Sequence, residues 1–445
     1  MKISGRLSCA LALLTALGCG AAPDGVPTAS NEGVGDVRQG LETIDVNREL
    51  MITDLSVVND PVRTVLSLAK PKEGVWSFGG LMTAMAGTQN PSDFALHLLQ
   101  QWETDFTLNG ATSVARPSMQ TLVIDPWPKL PDGKLDLTKS PMRLLAVSYR
   151  PDLRNMSAVG RKSAGEGRFV FGVLGATGNI LQFTLILEYE LPATTPNEVK
   201  LWAQGFHFLG KNAFGPNYNG ILSQITAHFA AAGACPDKIN KSCINQVRSN
   251  DVSLAVAGTD LNNLPSTKLW ELREFRLNAT TGQLDQGSVN QSPDISIKGG
   301  AALTDFINQN EAAVLDGSYR LPANLLGPSA KTPKGAFLDL GTINNSEARF
   351  KFAVNTCDGC HSTETATSFL HIKNRAANLP AQLSGYLTGT STLDPVTGQV
   401  RNFGELAVRA ADLQTLLAKS ETDIGKEPKK NKGDGPDSEL QSGSN

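Results

Sequence analysis

Cys357 and Cys360 stand three residues apart, and His361 follows the second directly, in the run Cys357-Asp358-Gly359-Cys360-His361. Two thiols at this spacing lie on one turn of chain. They can reach the two vinyl groups on one side of a porphyrin, and the next imidazole then projects over the ring to coordinate its iron. The chemistry this pattern fits is covalent attachment of one haem c, with Cys357 and Cys360 as thioether sites and His361 as an axial ligand. The last methionine of the chain is Met156, so no methionine follows to complete the iron from the C-terminal side. His371 is the nearest other histidine. Ten residues of extended chain reach at most ~35 Å, enough to pass round a porphyrin edge. His371 is therefore the candidate second axial ligand. A five-coordinate iron, or ligation by His97, His207 or His228, are the other arrangements. Ligation by two histidines would set a lower potential than a histidine–methionine pair.

The same residues admit other chemistry. In an exported protein Cys357 and Cys360 could be bridged as a plain disulfide. Cys357, Cys360 and His371 could hold zinc, though a fourth ligand is not evident. A thioredoxin-like dithiol lacks the βαβ pattern that should precede it. Elsewhere, Glu188 and Glu190 share one strand face and could serve as acid and base; the alternation around them reads instead as solvated sheet charges. "GVLGATG" mimics a nucleotide-binding loop, but a strand follows it rather than a helix, so a hairpin turn is expected. "AVGRKSAGEG" lacks phosphate-loop spacing. His97 and His228 flank apolar helix faces, and His207 sits between two phenylalanines, the usual setting of a core-edge histidine.

The elements that must position the motif can be read around it. "NSEARFKFAVNTC" predicts a helix running straight into the cysteines, with Ser346 as N-cap and Glu347 in its first turn. "LPAQLSGYLTG" predicts a second helix. "FGELAVRAADLQTLLAK" predicts a third, with Leu406, Ala410, Leu413 and Leu417 on one stripe. A helix leading into C-x-x-C-H, followed by a C-terminal amphipathic helix, resembles the cytochrome c family. The resemblance covers about residues 340–420. It implies a small helical haem domain over 331–420 that passes single electrons to or from a redox partner protein. Phe352, Phe369, Leu370, Ile372, Leu383, Tyr386 and Leu387 are its candidate pocket residues.

The chain opens with Lys2, Arg6 and the apolar run "LSCALALLTAL", too short to span a bilayer, and reads as an export signal. It ends in "ALGC", which resembles the lipobox of bacterial lipoproteins, with Ala16 where that family usually has Leu. The resemblance implies a signal peptide over 1–18, cleavage before Cys19 and acylation of its sulfur. Gly20 in place of Asp implies the outer membrane, so the expected location is the bacterial cell envelope with a lipid anchor as membrane partner. Of six cysteines, Cys9 leaves with the signal, Cys19 takes the lipid, and Cys235 and Cys243 close a polar loop as an expected disulfide.

Residues 19–43 read as a flexible tether and 421–445 as a disordered tail. Between them, 44–330 predict an α+β domain of unassigned function built on an antiparallel sheet. Its signals are a helix over "PSDFALHLLQQWETDF" capped by Ser92 or Asp93, and two long strands around "GATGN". A net charge of -3 argues against nucleic-acid binding, which needs a basic face. The alternative to the haem reading is a non-enzymatic surface binding or structural lipoprotein. In that reading the C-x-x-C pair is a disulfide and no cofactor is held.

Overall fold

The computed structural model describes residues 43–70, 72–157, 160–254, 270–298, 300–331 and 343–427. The expected signal peptide, the acylated Cys19 and nearly all of the tether lie outside the described residues. The described residues all belong to one compact unit.

The strongest alternation in the sequence becomes the centre of the fold. Phe183, Leu185, Leu187, Tyr189 and Leu191 fall on one face of a long strand, and all five are 0% exposed. Burial of each such side chain contributes about 1.5–3 kcal/mol relative to leaving it in water. The strands in chain order are β1 (Met51–Ile52), β2 (Phe106–Leu108), β3 (Ala111–Ser113), β4 (Met142–Arg150), β5 (Ser163–Leu174), β6 (Ile180–Pro192), β7 (Ile244–Asp251), β8 (Glu271–Leu272), β9 (Glu274–Leu277), β10 (Leu284–Gln286) and β11 (Ala330–Lys331). β2 and β3 form a separate hairpin. The others make one antiparallel sheet in the order β1-β4-β5-β6-β7-β8-β11, with β9 paired to β7 and β10 to β9. The "GATGN" turn joins β5 to β6 as a hairpin, as the sequence predicts.

The apolar face of this sheet is covered by helices. Pro196–Gly210 begins with a capping box between Thr195 and Glu198, with proline at its first position. Its buried Val199, Ala203, Phe206 and Leu209 pack into the main core. Pro216–Ala230 adds Leu222, Ile225 and Phe229. Gly167 on β5 exists for this contact, since a Cβ there would lie 2.4 Å from the Phe229 ring. Pro91–Gln100 is a helix as expected. Its cap is Asn90, not Ser92 or Asp93, because Asn90 accepts from both of their amides while Pro91 occupies the first turn.

The C-terminal segment brings the helices Ser346–Val354, Gly385–Thr388, Glu405–Ala418 and Glu421–Gly425, and the ribbon β12 (Thr390–Leu393) with β13 (Val400–Phe403). It shares its packing with the rest of the chain. Leu413, Leu416 and Ile424 belong to the main core, while Ala381, Leu387 and Leu406 pack with Met51, Leu145 and Val170. The helix expected over "LPAQLSGYLTG" shrinks to Gly385–Thr388. Ser384 N–H donates to the His371 carbonyl at 2.8 Å and Lys373 N–H to the Gln382 carbonyl at 2.9 Å, so this stretch pairs back on the chain instead. The expected tail also starts later. Residues 421–425 are helical, and Ile424 is 0% exposed in the main core.

Candidate functional site

Helix Ser346–Val354 is capped by Asn345, one residue before the expected Ser346, and it delivers the chain to the cysteines. Thr356 then caps a single turn, Cys357–Cys360, by accepting from Gly359 N–H at 3.1 Å. Gly359 has no alternative residue here, since a Cβ would meet the Ala353 carbonyl oxygen at 2.0 Å. The turn is tied to distant chain. Cys357 N–H donates to Ser292 Oγ at 2.8 Å, and Lys331 N–H donates to Asp358 Oδ1 at 2.7 Å. Asp358 is fully buried. Burial pushes its carboxyl up to about 8, with Asp294 adding to the rise against the Lys331 amide, so it is largely neutral at pH 7.

His361 is 9% exposed. Its Nδ1 lies 2.6 Å from the Phe369 carbonyl. A carbonyl only accepts, so Nδ1 carries the proton, and in the neutral ring Nε2 keeps its lone pair. Phe369 holds φ at +66°, a left-handed conformation that costs a phenylalanine energy. Trp270 stacks on this imidazole, with centroids 4.9 Å apart and planes 16° from parallel. His371 lies against His361 at 4.2 Å between centroids. Its Nδ1 is 2.9 Å from Ser384 Oγ, and its Nε2 is 3.4 Å from Cys360 Sγ.

A clamp of buried charge fixes this loop. Arg349, from the helix before the motif, holds Glu364 after it and Asp394 at the end of the ribbon, each at 2.7 Å. All three side chains are 0% exposed in the ion pairs. Arg401 supports Asp394 from β13 at 3.1 Å.

Cys357, Cys360, His361 and His371 all face a cavity of about 370 Å³. The opposite wall is the second face of the sheet: Ser148, Arg150, Arg168, Thr184, Glu188, Arg248 and Asn250. Glu188 and Glu190 are therefore not solvated surface charges, being 1% and 2% exposed. The C-terminal segment covers this face, and partners of opposite sign supply what water would have given. Arg168 pairs with Glu166 at 2.6 Å and with Glu188 at 3.3 Å, and Arg248 pairs with Glu274 at 2.8 Å. Glu190 is held by Arg161 and Lys238. Burial drives Glu166 up to about 7, Arg168 pulling against it and Glu188 adding to the rise.

The other sequence candidates fall elsewhere. His97 bonds to Asp285 at 2.7 Å and His207 to Glu49 at 2.8 Å, while His228 packs edge-on to Trp202. None of the three lines the cavity. Ile372, Tyr386 and Leu387 do line it, whereas Phe352 packs on Tyr319 in a separate cluster. Phe369, Leu370 and Leu383 are not among the lining residues. Cys235 and Cys243 form the expected disulfide, remote in sequence from the motif. Among the described residues no group of three or more His, Cys, Asp or Glu is placed to hold a metal ion. No helix among them is long and apolar enough to cross a membrane. Sequence reasoning missed the arginines of the sheet wall, Trp270 and the Arg349 clamp. The available signal was opposite charge at neighbouring strand positions, such as Arg168 beside Glu188. Comparison with known proteins finds no matching family model, no matching curated protein and no matching solved structure.

Proposed function

We propose that the chain is a lipoprotein of the bacterial cell envelope, anchored through Cys19, that carries one haem c on Cys357 and Cys360 and exchanges single electrons with a redox partner protein. The observation that carries this reading is the His361–Phe369 hydrogen bond at the edge of the cavity. It fixes the tautomer that leaves Nε2 free to hold an iron, as outer partners of ligating histidines do. Both cysteines of the motif open on the same cavity, so the donor set and the space coincide.

A haem held there supplies a one-electron couple at its iron. The chain's own residues bind and tune it. Thr356 and Gly359 shape the turn that offers the two sulfurs. Phe369 orients His361, and Trp270 limits its rotation by stacking. Ile372, Tyr386 and Leu387 exclude water from one side of the cavity. The ion pairs of Arg168 and Arg248 place fixed charge on the other. His371, whose ring lies 4.2 Å from that of His361, would be the second imidazole available to hold the iron, and the two rings would have to part for it to do so.

The test is expression of the full chain in a host with haem-maturation machinery. The expected product is red, shows reduced and oxidised absorbance spectra of a c-type haem, and keeps its colour on the chain after denaturation. A colourless product whose intact mass is bare polypeptide would overturn the reading.

A further inference from the structure

Six aromatic rings form a row through this site. Trp270 touches His361, and His361 touches His371. His371 lies 4.8 Å from Tyr386, Tyr386 5.4 Å from Phe403, and Phe403 6.3 Å from Phe350, all between centroids. One end is closed, since Trp270 is 0% exposed. The fifth ring, Phe403, lies on β13, and Phe350 packs behind it in helix Ser346–Val354 at 8% exposure. On that ribbon Arg401 and Phe403 face inward, while Val400 and its register partner Leu393 face outward at 63% and 60% exposure. The row therefore leaves the interior one strand's thickness from solvent. Arg401 lies over the Phe350 ring at 3.8 Å and is bonded to Asp394, which holds the ribbon to the buried clamp.

Electron tunnelling falls off exponentially with the gap between orbitals, so packed rings in sequence couple better than open space or a saturated wall. On the sheet side the cavity meets ion-paired arginines and glutamates; toward the ribbon it meets ring after ring. We infer that Tyr386 and Phe403 are the electron-transfer residues linking the haem site to the surface at β12–β13. The inference rests on the haem reading above. In the transfer a one-electron donor outside the ribbon is oxidised by one electron and the haem iron is reduced by one. No bond forms or breaks, no proton moves, and the rings are not themselves oxidised.

The experiment uses the full haem-loaded chain carrying a ruthenium photosensitiser on a cysteine introduced by Asn402→Cys, on the outward face of β13. Flash reduction of the haem is timed in this chain, in one carrying Phe403→Leu as well, and in one carrying Phe403→Tyr. A parallel set carries the label at Thr280→Cys, in the β9–β10 turn. The expected result is a several-fold slower reduction from residue 402 with Phe403→Leu and a rate restored by Phe403→Tyr. The rate from residue 280, the haem spectrum and the midpoint potential should stay unchanged in all three. Equal rates from residue 402 for the leucine and phenylalanine chains would overturn the inference while leaving the haem in place. A chain that carries no haem at all overturns the haem reading first, and this inference with it.

Discussion

Arg349→Ala should cost about 3–5 kcal/mol, the loss expected when one partner of a buried ion pair is removed. The side chain is 0% exposed and holds Glu364 and Asp394, each at 2.7 Å. Hydrogen bonds to charged groups contribute about 1.5–3 kcal/mol apiece, so two of them would set the loss near 3–6. Asp394 keeps Arg401 at 3.1 Å, which trims the upper end. Glu364 bears the rest, as a buried carboxylate without its guanidinium. The assay is urea unfolding followed by tryptophan fluorescence and far-ultraviolet circular dichroism, with the cofactor-free chain as reference. Coincident transitions by the two probes license the comparison of midpoints. The double replacement Arg349→Met with Glu364→Gln should recover at least about 2 kcal/mol, because a neutral pair of similar volume leaves less uncompensated charge. A single variant that loses less than about 1 kcal/mol, or a double variant no better than the single, would show that the clamp does not stabilise the fold.

Two further outcomes follow from the site. Glu166 sits at about 7 against an ordinary 4.5, so the folded chain keeps a proton that the unfolded chain has released. Stability should therefore fall as pH rises from about 4.5 to about 7, and Glu166→Gln should remove that slope from unfolding midpoints measured across the window. Equal slopes in both chains would contradict the assignment. Gly359→Ala would force a methyl onto the Ala353 carbonyl, and overpacking of this kind costs about 1–3 kcal/mol. On the haem reading proposed above, the haem-to-protein ratio of the purified chain should drop with it; an unchanged unfolding midpoint would show that the turn has room.

What was legible in the sequence was local. The β5–β6 hairpin was readable because period-two alternation flanks a glycine-containing turn. The Cys235–Cys243 bridge was readable because the two cysteines are separated by eight positions in a polar loop. The α+β class followed from such pieces. Glu188 and Glu190 were misread because alternation tells which residues share a face but not what covers that face. Here the cover comes from the C-terminal segment, far along the chain. The helix over 379–389 was misread for a related reason, as pairing with residues 371–373 outweighed local propensity. The cysteines and both histidines announced themselves by spacing. Their setting did not, because Ser292, Lys331, Trp270 and Arg349 reach the motif only through tertiary contacts.

The order in which the chain can close bears on when the Cys357–Cys360 turn is open to solvent. Cys357 is 4% exposed and Asp358 0%, while Cys360 is half-buried, so in the finished fold Cys357 is closed to a reagent from outside and Cys360 only partly open. Leu413, Leu416 and Ile424 are part of the main core, which therefore stays incomplete until the last helices emerge. On the proposed haem reading, attachment at Cys357 belongs to that interval, while helices Glu405–Ala418 and Glu421–Gly425 are still undocked. On the haem reading proposed above, the C-terminal helices would be the closing step of assembly, and the attaching enzyme would have to act on Cys357 before they seat.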